Sequence, residues 1–147
     1  MYERILVPTD GSDAVGPAVA HAIDLAKTYD AELHVLNAVN LEPAAFENGS
    51  TVVDRLEKAG RDATDAVTER AESEGLDRVT ADVTNGEPHT AILDYTADND
   101  IDLVVMGTHG RTGLDRHLLG SVTEKAVRTA DAPVLTVRKP DSDDAES

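Results

Sequence analysis

The sequence contains no cysteine and no tryptophan, and aromatic residues make up only 3% of it. The first absence excludes disulfides, thiolate metal sites and thiol nucleophiles. The scarcity of aromatics leaves a core of Val, Leu, Ile and Ala, and no platform on which single-stranded nucleic acid could stack. Basic residues are also few: 13 Lys and Arg stand against 29 Asp and Glu, a formal net charge of -16. Such a field repels a phosphate backbone, so nucleic acid is not an expected partner. It resembles the surfaces of cytoplasmic proteins from salt-loving organisms, where salt screens self-repulsion within a few ångströms; an ordinary acidic surface is the alternative. No apolar run approaches the roughly 18 residues of a membrane span. Met1-Tyr2-Glu3-Arg4-Ile5 has no signal-peptide architecture, and the expected location is the cytoplasm, with no membrane partner.

What is present is a β-α rhythm in a chain of 147 residues, the length of one domain. Arg4-Ile5-Leu6-Val7-Pro8 is a buried strand followed by the turn cluster Thr9-Asp10-Gly11-Ser12-Asp13, in which Ser12 or Asp13 is the expected helix N-cap. Val15, Ala18, Val19, Ala22, Ile23 and Ala26 then form one helical stripe, with Pro17 in its first turn. Glu32 to Val39 repeats the strand signal, and residues 40–50 read as a loop. Thr51 to Glu74 repeats the helix signal and stops at Gly75. Val79, Ala81 and Val83 alternate with polar residues, as in a half-exposed strand near a sheet edge. Pro88 opens a third helix, and Ile101 to Met106 is apolar enough for a central strand covered on both faces. After a fourth helix from Val122 to Ala130, residues 132–138 supply a fifth strand. The spacing predicts a single α/β domain over 1–139, with a parallel sheet and helices on both faces; the acidic tail 140–147 is expected to be disordered.

Between the fourth strand and the fourth helix lies Gly107-Thr108-His109-Gly110-Arg111-Thr112-Gly113-Leu114-Asp115-Arg116-His117-Leu118-Leu119-Gly120-Ser121. Glycines bring backbone N–H groups close to a ligand, and the following helix N-terminus adds unpaired donors, a chemistry suited to phosphate. The stretch carries a formal charge of +1 in a chain of -16, from Arg111 and Arg116 against Asp115. Those side chains, with His109 and His117, could equally be solvent-facing. The stretch is not a Walker loop, because no G-x-x-x-x-G-K-[ST] occurs, nor a G-x-G-x-x-G dinucleotide fingerprint. If strands 1, 2 and 3 wind one way and 4 and 5 return, the order is 3-2-1-4-5. The loop bearing Asp10 then meets the glycine stretch at the reversal, where ligands bind in such sheets. Asp10 at a strand end could accept hydrogen bonds from ribose, or could be a turn aspartate. His21, His34 and His89 show no metal-ligand spacing, and no catalytic set can be assigned.

From Ile5-Leu6-Val7-Pro8-Thr9-Asp10-Gly11-Ser12 to Ala132-Pro133-Val134-Leu135-Thr136-Val137 the chain resembles the universal stress protein family. The most specific element is G-x-x-G, nine residues, then G-S, met by Gly107, Gly110 and Gly120-Ser121. The resemblance implies an adenine nucleotide alpha hydrolase-like fold and binding of ATP, with Mg²⁺ at the phosphates. It implies triphosphate at the Gly110 region and at Gly120, Ser121 and Val122, ribose or the metal-bound phosphate at Asp10, and adenine at the Val39 backbone, with Arg111 and Thr123 elsewhere in the nucleotide site. Pro8, Thr9, Met106 and Gly107 complete the implied site. A homodimer through the last strand, residues 133–138, is implied as well. The leading expectation is a nucleotide-dependent stress-response module with no catalytic residue. The alternatives are a slow ATP hydrolase or phosphotransferase, and an interaction module indifferent to nucleotide.

Overall fold

Each apolar run becomes a strand and each amphipathic stretch a crossover helix in the computed structural model, which describes residues 2–12, 15–39, 50–107 and 121–138. The elements are β1 (Arg4–Pro8), α1 (Gly16–Tyr29), β2 (Glu32–Val39), α2 (Ser50–Ser73), β3 (Val79–Asn85), α3 (Pro88–Asp98), β4 (Leu103–Gly107), α4 (Ser121–Thr129) and β5 (Val134–Val137). The loop residues Gly110, Arg111 and Gly120, the candidate cap Asp13 and the tail 140–147 lie outside the described residues.

The strands form one sheet of order β3-β2-β1-β4-β5 in which every pair is parallel. Side chains alternate across a strand, so β1 serves two cores at once. Ile5 and Val7 pack with Ala18, Ala22 and Ile23 of α1 and with Val67 and Ala71 of α2. Leu6 packs on the other face with Ile92 of α3 and Ala126 of α4. Ile5, Leu6 and Val7 are all 0% exposed, which is why β1 reads as continuously apolar rather than alternating. β3 is the edge the alternation predicts, with Ala81 and Asp82 exposed.

Pro17 falls in the first turn of α1, as the sequence predicts, but the helix N-cap is Val15, and among the described residues no side chain caps it. Ser12 is not the cap because its amide and hydroxyl are both committed to the Asp10 carboxylate, an Asx turn that competes with capping. Gly75, at φ +103°, ends α2 in a Schellman motif: its N–H reaches Glu72 O at 3.1 Å and Leu76 N–H reaches Ala71 O at 3.1 Å. Among the described residues no helix is long and apolar enough to cross a membrane.

His34, 5% exposed, ties β2 to α3. Its Nδ1 lies 2.6 Å from the Tyr95 hydroxyl and its Nε2 lies 3.1 Å from Glu32 Oε1. A neutral imidazole satisfies both, accepting from Tyr95 and donating to Glu32. Burial, reinforced by the charges of Asp82 and Glu32, pushes the Tyr95 hydroxyl up to about 12. A raised folded value means that the proton is held more tightly in the native state. Its stabilisation is therefore complete below the unfolded value of about 10 and is lost as pH climbs from there towards 12. Tyr95→Phe should cost about 1–2 kcal/mol at pH 7 by leaving a buried ring nitrogen without its donor. That deficit should shrink between pH 10 and 12 in urea unfolding; a gap that stays constant would contradict the assignment.

Candidate functional site

The turn after β1 is built from its own side chains. Thr9 N–H donates to Leu36 O at 2.8 Å, holding the start of the turn to β2. Thr9 Oγ1 accepts the Gly11 N–H at 3.1 Å, and Asp10 Oδ1 accepts the Ser12 N–H at 2.9 Å and the Ser12 hydroxyl at 2.5 Å. Gly11 has φ +80°, a left-handed conformation that side chains rarely adopt, and a Cβ added there would lie 3.3 Å from Ala63 Cβ. The turn is thus seated against α2. One Asp10 oxygen is used up in shaping it, while Oδ2 has no hydrogen-bond partner among the described residues. The turn role and the ligand role foreseen for Asp10 are compatible, because they fall on different oxygens.

β1 lies between β2 and β4, at the point where the strand order reverses. Its ladder with β4 joins only Ile5 to Leu103 and Leu6 to Val104, although β1 continues to Pro8 and β4 to Gly107. Pro8 has no N–H to extend the ladder. The strand ends that carry Pro8, Thr9, Asp10, Val39 and Gly107 share this edge of the sheet. Val39 O accepts the Gly86 N–H at 2.9 Å and keeps a second lone pair that an adenine amine could use. Met106 is 5% exposed and its side chain belongs to the α3–α4 core, so only its backbone is placed to serve a ligand. Ser121 is the first residue of α4, one place before the helix start at Val122 that the sequence predicts, and Val122 packs beside the same core. Thr123 follows in the first turn of α4.

A cavity of about 700 Å³ opens between α1 and α2 beside the turn, bounded by Asp10, Ser12, Asn37, Val39, Gly60 and Ala63. That volume lies within the few hundred to about 1,000 Å³ typical of small-molecule sites. Asn37, Gly60 and Ala63 were not singled out by sequence reasoning. Two signals were available: a polar residue inside the apolar run Leu36-Asn37-Ala38, and a glycine inside a helix rich in alanine. Asn37 is 6% exposed and its Nδ2 donates to Thr9 O at 2.9 Å, whereas its Oδ1 is buried without a partner. Leaving an acceptor so placed costs about 1–3 kcal/mol. Among the described residues no group of three or more His, Asp or Glu side chains is placed to hold a metal ion.

The fold recurs in known proteins. The model of the universal stress protein family matches residues 1–138. Universal stress protein MJ0531 of Methanocaldococcus jannaschii is 38% identical over 144 aligned residues, which span 95% of this chain and 84% of that protein. The solved structure of MJ0577, from the same organism, superposes with a TM-score of 0.85 at 28% identity, covering 96% of this chain and 99% of that one. A universal stress protein solved in complex with cAMP superposes with a TM-score of 0.72 at 25% identity, covering 95% and 98% of the two chains. With the family match running through all five strands and a relative alike along nearly its whole length, the chain belongs to the universal stress protein family.

Proposed function

We propose that this protein binds ATP at the reversal of its sheet and uses occupancy of that site, rather than turnover, as its output in a stress response. The observation that carries the reading is Asp10: a carboxylate with one oxygen locked by Ser12 and the other without a partner among the described residues, at the end of the central strand. Ribose hydroxyls would donate to Oδ2, and the adenine amine to the second lone pair of Val39 O. Gly107, Gly110, Arg111, Gly120, Ser121, Val122 and Thr123 would surround the phosphates, where backbone N–H groups and the α4 N-terminus favour anions. Mg²⁺ is usually held by one or two carboxylates together with substrate phosphates, so a lone Asp10 is a sufficient protein ligand. The cAMP complex of a relative supports an adenine nucleotide as the ligand class. Leu135, on edge strand β5, and Val127, on α4, are 37% and 45% exposed, which supports a homodimer paired through residues 133–138.

Ligand that binds only the native state raises stability by about 2.7 kcal/mol at a hundredfold excess over Kd. For a domain of this size that corresponds to a rise in melting temperature of roughly 5–10 °C. Calorimetric melts with ATP and Mg²⁺ in 1 M KCl, compared with ADP, AMP and cAMP, test the reading. Absence of a shift with every adenine nucleotide would overturn it.

A further inference from the structure

We infer that Asn37 is a positioning residue for Asp10: its carboxamide fixes the peptide group that joins Thr9 to Asp10, and Gly60 of α2 leaves the room this requires. The inference rests on the nucleotide site proposed above. The carbonyl that Asn37 Nδ2 holds, at 2.9 Å, is that of Thr9, and the nitrogen of the same planar peptide belongs to Asp10. Fixing this plane constrains the Thr9 ψ and the Asp10 φ, and so the direction in which the carboxylate leaves β1. Thr9 is held from its other side by its N–H on Leu36 O. The Asp10 turn is therefore referred to β2 through both peptide groups of Thr9.

Two unfavourable choices meet at this point. An amide sits in an apolar strand with a buried oxygen that has no hydrogen-bond partner, and the one bond its side chain makes is from Nδ2 to Thr9 O. Facing it, α2 carries glycine in its interior, the residue that weakens a helix most after proline. A Cβ on Gly60 would stand 2.6 Å from Asn37 Oδ1 and 3.0 Å from Val83 Cγ1. The glycine is accounted for by the carboxamide together with Val83, and the carboxamide by the Thr9 carbonyl. Asn37 touches no ligand in this scheme, because Oδ1 is enclosed by the chain itself.

The test combines three readouts on wild type and Asn37→Leu: ATP affinity by calorimetry, stability without nucleotide, and hydrogen exchange at the Gly11 and Ser12 amides. Asn37→Leu is expected to weaken ATP about tenfold, the size of one lost hydrogen bond. It should accelerate exchange at both amides while leaving the urea midpoint of the free protein unchanged or raised. Gly60→Ala, which displaces the oxygen without altering its chemistry, should weaken ATP similarly, and adding it to Asn37→Ala should cost no further affinity. A variant that keeps wild-type affinity and exchange while losing only stability would make Asn37 a packing residue and overturn the inference. If Asn37→Leu does not fold, Asn37→Ala takes the same three measurements. Should wild type bind no nucleotide, the functional reading fails, and exchange at Gly11 and Ser12 still decides whether Asn37 positions the turn.

Discussion

Leu6→Ala is expected to lower the unfolding free energy by about 3–5 kcal/mol, roughly a fifth or more of the 5–15 kcal/mol that a domain usually possesses. Leu6 is 0% exposed at the middle of the central strand, with His34 of β2 and Val104 of β4 as its neighbours in the sheet. Its side chain fills the α3–α4 core with Leu36, Ile92, Val104, Met106 and Ala126. The cost of truncation depends on how far these neighbours can close the void. Three of them stand on strands held by ladders, and the one helical large residue, Ile92, is β-branched and stiff. The tyrosine ring beside this core, Tyr95, is tied through its hydroxyl to His34 Nδ1 at 2.6 Å, which restrains it from swinging inward. Urea unfolding in molar KCl, with an unchanged slope, should show the midpoint fall. A loss below about 1.5 kcal/mol would mean that the core is not rigid and repacks around the void.

Hydrophobic periodicity carried most of this fold. β1 and β2 begin and end where the apolar runs do, and the sheet order follows from right-handed crossovers once β3 is recognised as an edge. The run Ile101 to Met106 shows the limit of such reading. Ile101 precedes β4, its N–H on Thr96 O, and Asp102 turns its carboxylate to the amides of Glu3 and Arg4. An apolar residue in a buried turn and one in a strand look alike in sequence. The place of Asp10 at a strand end beside the reversal was legible, and the way its Oδ1 shapes the turn was not. The link from Asn37 to Thr9 and the clearance at Gly60 depend on how closely α2 approaches β2, which no local pattern encodes. The partnership of His34 with Tyr95, 61 residues away in the chain, is invisible for the same reason.

Asp10→Asn is expected to weaken ATP binding by about 10- to 100-fold while leaving the free protein within about 0.5 kcal/mol of wild-type stability. The asymmetry arises because asparagine keeps the acceptor that shapes the turn and loses the one offered to the ligand. Oδ1 of asparagine can still take the Ser12 amide and hydroxyl, as Asx turns do. The atom in place of Oδ2 becomes an NH₂, a donor where ribose hydroxyls or a metal ion require an acceptor. Losing a charge-assisted hydrogen bond of about 1.5–3 kcal/mol sets the fold-change. A second effect opposes the first, since removing a carboxylate from a chain of net charge -16 also relieves its repulsion of a triphosphate. At 1 M salt the screening length is about 3 Å, so this long-range relief disappears and the local loss is read alone. Asp10→Ala supplies the complementary case: it removes the turn acceptor as well, so it should lose stability in addition to affinity. If calorimetry in 1 M KCl found Asp10→Asn binding ATP like wild type, Asp10 would belong to the turn only, and the nucleotide would have to be held by residues 107–123 and the end of β2.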